Sequence, residues 1–128
     1  MLGDVLRKKN SMCIFLTETW LNSDIEDAEV LIDDYTILRS DRSDRVRGGA
    51  AIYLKNELFP KKVAAFSNSV VEYVVVKSSI IDTLFISVYR PPGTNNIEWK
   101  EALNSLDNEI KLAQSHGKFQ RIFNGRGL

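Results

Sequence analysis

The spacing of apolar positions divides the chain into short elements. Leu2, Val5 and Leu6 recur at helical spacing ahead of Arg7, Lys8 and Lys9, a basic end that suits the negative pole of a helix, so a short helix is predicted there. Residues 12–17 form a compact apolar run with Cys13 and Phe15 on one face and Met12, Ile14 and Leu16 on the other, the pattern of a strand buried on both sides. Residues 22–34 are rich in Asp, Glu and Asn and carry Ile25, Val30, Leu31 and Ile32 without a clean period, which predicts a loop with a single helical turn.

Residues 35–39 fit a short strand, and residues 40–47 a polar loop in which basic and acidic side chains alternate. Gly48-Gly49 then permits backbone angles closed to other residues just before a strand over residues 50–55. Residues 70–77 and 83–89 are β-branched and aromatic, separated by a hairpin-length connection, and Pro91-Pro92-Gly93 ends the second of them. Asn95 with Glu98 marks a helix start, and Trp99, Leu103, Leu106, Ile110 and Ala113 continue at helical spacing towards a stop at Gly117. Residues 119–123 suit one more strand. Hairpin-connected strands followed by a helix and a further strand predict a single mixed α/β domain spanning residues 1–128.

Composition narrows the chemistry. With 17 Lys+Arg against 17 Asp+Glu the formal net charge is zero, so no global basic field marks a nucleic-acid binder and any such role must be local. Hydrophobic residues at 44% and charged residues at 27% describe a globular chain rather than a disordered one. The single Cys13 excludes an intrachain disulfide and a cysteine-based zinc site and suits a reducing compartment, nuclear or cytoplasmic. One histidine, His116, leaves most Ser/His or Cys/His nucleophile arrangements short of parts, which leaves carboxylate and hydroxyl chemistry. No apolar stretch approaches the ~20 residues of a membrane span, so no membrane role is expected.

Four segments, read in order, carry a resemblance: residues 15–21 (Phe-Leu-Thr-Glu-Thr-Trp-Leu), residues 47–53 (Arg-Gly-Gly-Ala-Ala-Ile-Tyr), Glu72 in Val-Glu-Tyr-Val-Val-Val, and residues 88–93 (Val-Tyr-Arg-Pro-Pro-Gly). Together they resemble the endonuclease/exonuclease/phosphatase superfamily, most closely the endonuclease domain of non-LTR (LINE-type) retrotransposons, over residues 5–124. The resemblance implies a four-layered α/β sandwich, two mixed β-sheets with helices outside, that cuts DNA phosphodiesters with bound Mg²⁺. Such a site needs acidic and amide groups converging from separate strands, because a hard cation polarises the phosphoryl oxygens while an acidic residue activates water. By this resemblance Glu18 is a metal ligand and Tyr89 lies beside the scissile phosphate. On the residues alone, Glu18 is a solvated carboxylate at a strand end, and Tyr89, which shares a strand face with Phe85, is a core residue with its hydroxyl at the rim. Gly48 and Gly49 match a close-packed strand start, and their spacing fits neither a P-loop nor a dinucleotide fingerprint.

The chain also departs from the family pattern. Where the family has Gly-Asp-Phe-Asn after the long helix, this sequence reads Gln120-Arg121-Ile122-Phe123-Asn124-Gly125-Arg126, with no aspartate after Asp107. Two alignments are open: Asn124 is a remnant of the motif, or Gly125 is its glycine with Arg126 in the aspartate's place. Both lose the carboxylate, and an arginine there cannot accept the proton of the attacking water. The family's early asparagine motif and late Ser-Asp-His motif are absent, so the domain is expected to be incomplete at both ends, with an exposed sheet face and strand edges open to self-association. Val70–Val76, with Glu72 as its only charge, is the expected aggregating segment. Hydrolysis by this chain alone is not expected, since one exposed carboxylate holds Mg²⁺ poorly. A second reading is a non-catalytic nucleic-acid-binding module using Arg39, Arg42, Arg45 and Arg47, with Arg90 on a neighbouring loop. Asp41 and Asp44 partly cancel that charge.

Overall fold

A computed structural model describes residues 11–41 and 48–114, together with the backbone of residues 120–126 and the side chain of Arg121. The helix expected near the N-terminus, the loop holding Arg42, Arg45 and Arg47, and the helix stop at His116-Gly117 lie outside these residues. The described chain contains two sheets and one α-helix, the mixed α/β class expected from the alternation of strands and a helix.

The first sheet has the order β1-β3-β2, from β1 (Cys13–Thr17), β2 (Tyr35–Ser40) and β3 (Ala50–Lys55), all antiparallel. The second has the order β4-β5-β6-β7, from β4 (Pro60–Ser67), β5 (Glu72–Ser78), β6 (Thr83–Tyr89) and β7 (Gln120–Arg126). Strands β4 to β6 run antiparallel, whereas β7 runs parallel to β6. A parallel neighbour demands a crossover. That crossover is the helix α1 (Asn96–Ala113), whose start is fixed by Asn95: its side chain accepts the Glu98 N–H at 2.8 Å.

Strand alternation sorts the side chains into three apolar clusters. Tyr73 and Val75 of β5, with Leu84, Ile86 and Val88 of β6, face α1 and pack on Trp99, Leu106 and Ile110. The alternate residues Val74, Val76 and Phe85 face the first sheet and meet Leu38, Ala50, Ile52 and Leu54. On the first sheet's far side, Ile14, Tyr35, Ile37, Ala51 and Tyr53 are covered by Leu21 and Ile32 from the segment between β1 and β2. The Asp/Glu-rich segment therefore serves as a lid of the core, with one 3-10 turn at Asp27–Val30.

Two expectations change here. Strand β4 has no counterpart in the periodicity reading, because it is an edge strand whose residues are mostly exposed and whose pairing shifts between Lys62 and Ala64. A strand with little to bury has no reason to alternate, and lysines with an irregularity are how sheet edges avoid further pairing. Strand β5, which carries most of the expected aggregating segment, is paired on both sides by β4 and β6 and buried along most of its length.

Candidate functional site

All four segments behind the family resemblance meet at one end of the sheet pair. Strand β1 ends where β3 begins, since Thr17 pairs with Ala50. This places Glu18, Thr19 and Trp20 beside Gly48 and Gly49. The Trp20 N–H donates to the Gly48 carbonyl at 2.8 Å and the Thr19 N–H to the Gly49 carbonyl at 3.4 Å. In the second sheet, Glu72 opens β5 directly opposite Tyr89 at the close of β6. A buried bond joins the two sheets here, from the Gly49 N–H to Glu72 Oε2 at 2.8 Å.

Both glycines are required by geometry. Gly48 and Gly49 have φ of +92° and +96°, and a Cβ on Gly48 would stand 2.4 Å from Glu72 Oε1 while one on Gly49 would stand 2.4 Å from Thr19 Oγ1. Backbone strain continues beyond them: Glu18 and Trp20 have φ of 55° and 58°, uncommon for residues with side chains. The result is a hook in which the Trp20 indole N–H donates to Glu18 Oε2 at 2.8 Å, with Trp20 itself 48% exposed. Strained, polar, closely approached backbone of this kind is where proteins concentrate function.

Glu18 accordingly sits just past β1, which is an edge strand with Ile14 alone fully buried and not the strand covered on both sides that its apolar run predicts. Tyr89 is 9% exposed and shares its strand face with Ser87 and Phe85, the face turned to the first sheet. The Ser87 hydroxyl lies 3.5 Å from the Leu16 carbonyl oxygen, which ties β6 to β1 two residues before each candidate side chain. Asn124 pairs with Ser87 and Arg126 with Tyr89 in the backbone register of β7. Position 126 is thus level with the tyrosine at this end, and Asn124 lies one alternation back.

The arginines behave differently. Arg39 is not available to a ligand: its side chain is 11% exposed and ion-paired to Asp41 at 2.6 Å and Asp27 at 3.1 Å. It also donates to the carbonyls of Ile25 and Asn22, so it fastens the covering segment onto the first sheet. The bond to Asp41 raises its pKa further, with Asp27 adding to the effect. Arg90 turns to the helix side, donating to the Thr94 carbonyl and Asn96 Oδ1 and standing 5.4 Å from the Trp99 ring centroid. It lies on the face opposite to Tyr89. Arg45 and Arg47 lie outside the described residues.

Burial also explains two quiet groups. Desolvation pushes the Cys13 thiol up to about 12, which removes it as a nucleophile at neutral pH. Burial and a hydrogen bond to Glu109 at 2.9 Å raise the Tyr73 hydroxyl well above its ordinary value.

Among the described residues, the donors at this end do not make up a Mg²⁺ site. Among the described residues no three His, Cys, Asp or Glu side chains gather as metal ligands. Among the described residues, the carboxyls at this end are Glu18, which accepts the indole N–H, Glu72, which is fully buried against Gly49, and Asp41 just past β2, which is ion-paired to Arg39. Mg²⁺ gives up its water reluctantly and asks for more than that.

No family model matches this chain, and no curated protein does. The site is thus defined by its own geometry. In the sequence Glu72 stands out only as part of the motif Val-Glu-Tyr-Val-Val-Val. Its signal was available: a single charged residue in the β-branched run Val70–Val76, at an inward-facing position once the strand is paired. A cavity of about 400 Å³ lies elsewhere, between α1 and the β4–β5 edge, lined by Phe66, Val71, Tyr73, Glu98 and Glu109. Among the described residues no helix is long and apolar enough to cross a membrane.

Proposed function

We propose that this chain is an endonuclease-like domain of the endonuclease/exonuclease/phosphatase type, akin to those of non-LTR retrotransposons. Its partner is DNA, met at the glycine end of the two sheets, and it does not hydrolyse phosphodiesters by itself. One observation carries the reading. Glu18, Gly48-Gly49, Glu72 and Tyr89 come from four separate stretches of sequence and converge at one strained, polar end of the molecule. Acidic, hydroxyl and glycine positions brought together on strained backbone make a candidate ligand site. The resemblance to the family's four-layered sandwich would give Glu18 the place of a metal ligand and Tyr89 a place beside the phosphate; among the described residues Glu18 lacks the partner carboxylates that would hold the ion, so the reading keeps the phosphate contact and not the metal. The lack of an aspartate across residues 120–126 takes the proton acceptor away, which supports a binding rather than a cutting role.

The nucleic-acid-binding alternative built on the loop from Arg39 to Arg47 loses Arg39, whose charge is already matched by Asp41 and Asp27. Two measurements on the purified chain test the proposal. In a plasmid-nicking assay with Mg²⁺, the wild type should show no more nicking than Glu18→Ala, and Glu18-dependent nicking would overturn the inactive part. In an NMR titration with a short DNA duplex at low salt, the Trp20 indole should shift before that of Trp99. Shifts confined to other surfaces, or no binding at low salt, would remove DNA from this site.

A further inference from the structure

We infer that Glu72 is the positioning residue of the glycine end, setting the Glu18–Trp20 hook from the other sheet through Gly48 and Gly49. The inference deepens the function proposed above in naming what holds its candidate ligand in place, yet its test reads the hook directly and uses no DNA.

The path is continuous and each link is short. Glu72 is 0% exposed and accepts the Gly49 N–H at 2.8 Å, with the Ser67 hydroxyl 3.3 Å from its other oxygen. A buried carboxyl so engaged cannot move without leaving polar atoms stranded. Gly48 packs its bare Cα against the same carboxyl, and the carbonyls of Gly48 and Gly49 receive the N–H groups of Trp20 and Thr19. Those two bonds hold the stretch in which Glu18 and Trp20 take left-handed angles, and those angles let the Trp20 indole reach Glu18 Oε2 at 2.8 Å. Glu72 does not belong to β1 or β3, whose pairing would form without it. What it adds is a fixed place for the glycine pair relative to the second sheet, and hence to Tyr89, its direct cross-strand neighbour.

A merely structural role predicts something else. Glu72 would then matter to the whole inter-sheet core, and every reporter would respond alike. The chain supplies two tryptophans on opposite sides of the second sheet: Trp20 in the hook and Trp99 against α1's face of it, 6% exposed. Trp99 is the internal control.

The experiment follows the two indole N–H resonances in wild type, Glu18→Ala, Glu72→Ala, Glu72→Asp and Glu72→Gln. Glu18→Ala marks where the Trp20 resonance falls when its acceptor is gone. Glu72→Ala and Glu72→Asp, whose shorter side chain cannot reach Gly49, should move Trp20 towards that mark while Trp99 stays. Glu72→Gln keeps an acceptor oxygen at the same reach and should restore the wild-type position. If Glu72→Ala does not fold, the contrast between Asp and Gln decides. The inference is overturned if Trp20 stays at its wild-type position in the Ala and Asp variants, or if Trp20 and Trp99 move together. It is also overturned if Gln fails to restore the hook, or if no variant folds and Glu72 is simply required by the core.

Discussion

The second sheet has two faces built from alternate residues of the same strands, and they are not alike. Towards α1, the positions Tyr73, Val75, Leu84, Ile86 and Val88 are apolar from end to end, with one tyrosine hydroxyl reaching Glu109 at the margin. Towards the first sheet the same strands begin apolar, with Val76, Phe85 and Val74, and turn polar at one end, with Glu72, Ser87 and Tyr89. A face whose only task is to hold a helix has no use for buried polar atoms, since each must find a partner or cost stability. The inter-sheet face accepts them at the end where the strained backbone of residues 18–20 and 48–49 gathers. The contrast separates the part of this core that stabilises from the part that arranges.

The apolar half of the inter-sheet face should therefore dominate stability. Phe85 is fully buried between the sheets, and Phe85→Ala should cost about 4 kcal/mol, read as a lowered urea midpoint with an unchanged slope. A cost near that of a surface substitution would mean that the two sheets do not share one core. At the glycine end the expected loss is smaller and of a different kind. Gly48→Ala should cost about 2–3 kcal/mol, combining a left-handed φ with a methyl driven against Glu72. Gly93→Ala is the matching control: φ is +87° but nothing lies within 4 Å, so only the conformational part, about 1 kcal/mol, should appear. Joining Gly48→Ala to Glu72→Ala should recover part of the loss, and strict additivity would show that the two residues do not press on each other.

Much of this was legible from spacing alone. Strands β1, β2, β3, β5 and β6 and the helix α1 lie where periodicity puts them to within two residues at most boundaries, because each buries an alternating or helical stripe and the pattern records that burial. Helix α1 starts beside Asn95 because the capping side chain is a local cause with a local effect. Strand β4 was illegible for the converse reason: an exposed edge leaves no stripe. At the site, Glu18 and Tyr89 enter through a resemblance; Tyr89 lies buried on the strand face it shares with Phe85, whereas Glu18 is half-buried and engaged by the Trp20 indole rather than a free solvated carboxylate. What spacing could not supply is the convergence. Glu72 and Gly49 are 23 residues apart, and their bond exists only once two sheets are stacked. The same holds for Arg39, for which the sequence shows only that Asp41 and Asp44 partly cancel the charge nearby. The chain instead folds it under the segment between β1 and β2, where Asp27, Asp41 and two carbonyls saturate it.

The smallest expected effect belongs to the helix side and reports on pH. Asp107 on α1 pairs with Lys111 one turn on, at 3.0 Å, and with Arg121 of β7 at 3.3 Å, and Arg121 is held in turn by Gln114. The hydrogen bond from Lys111, ahead of the contribution from Arg121, holds the Asp107 carboxyl below its ordinary value of 3.8. A carboxyl whose folded pKa lies below its unfolded one favours the folded state while it is ionised. Its contribution is therefore complete above 3.8 and fades as pH falls through the lowered value. Comparing urea midpoints of wild type and Asp107→Asn should show a constant small gap at neutral pH that closes on the acid side of 3.8. Solvent exposure keeps that gap modest. A gap that persists in acid would assign the effect to helix propensity instead of charge. The indole of Trp20 should be indifferent to this substitution at every pH, because nothing that Asp107 touches reaches the inter-sheet face. If Trp20 does respond, the two faces of the sheet are mechanically coupled, and the division between a stabilising face and an arranging end has to be redrawn through α1.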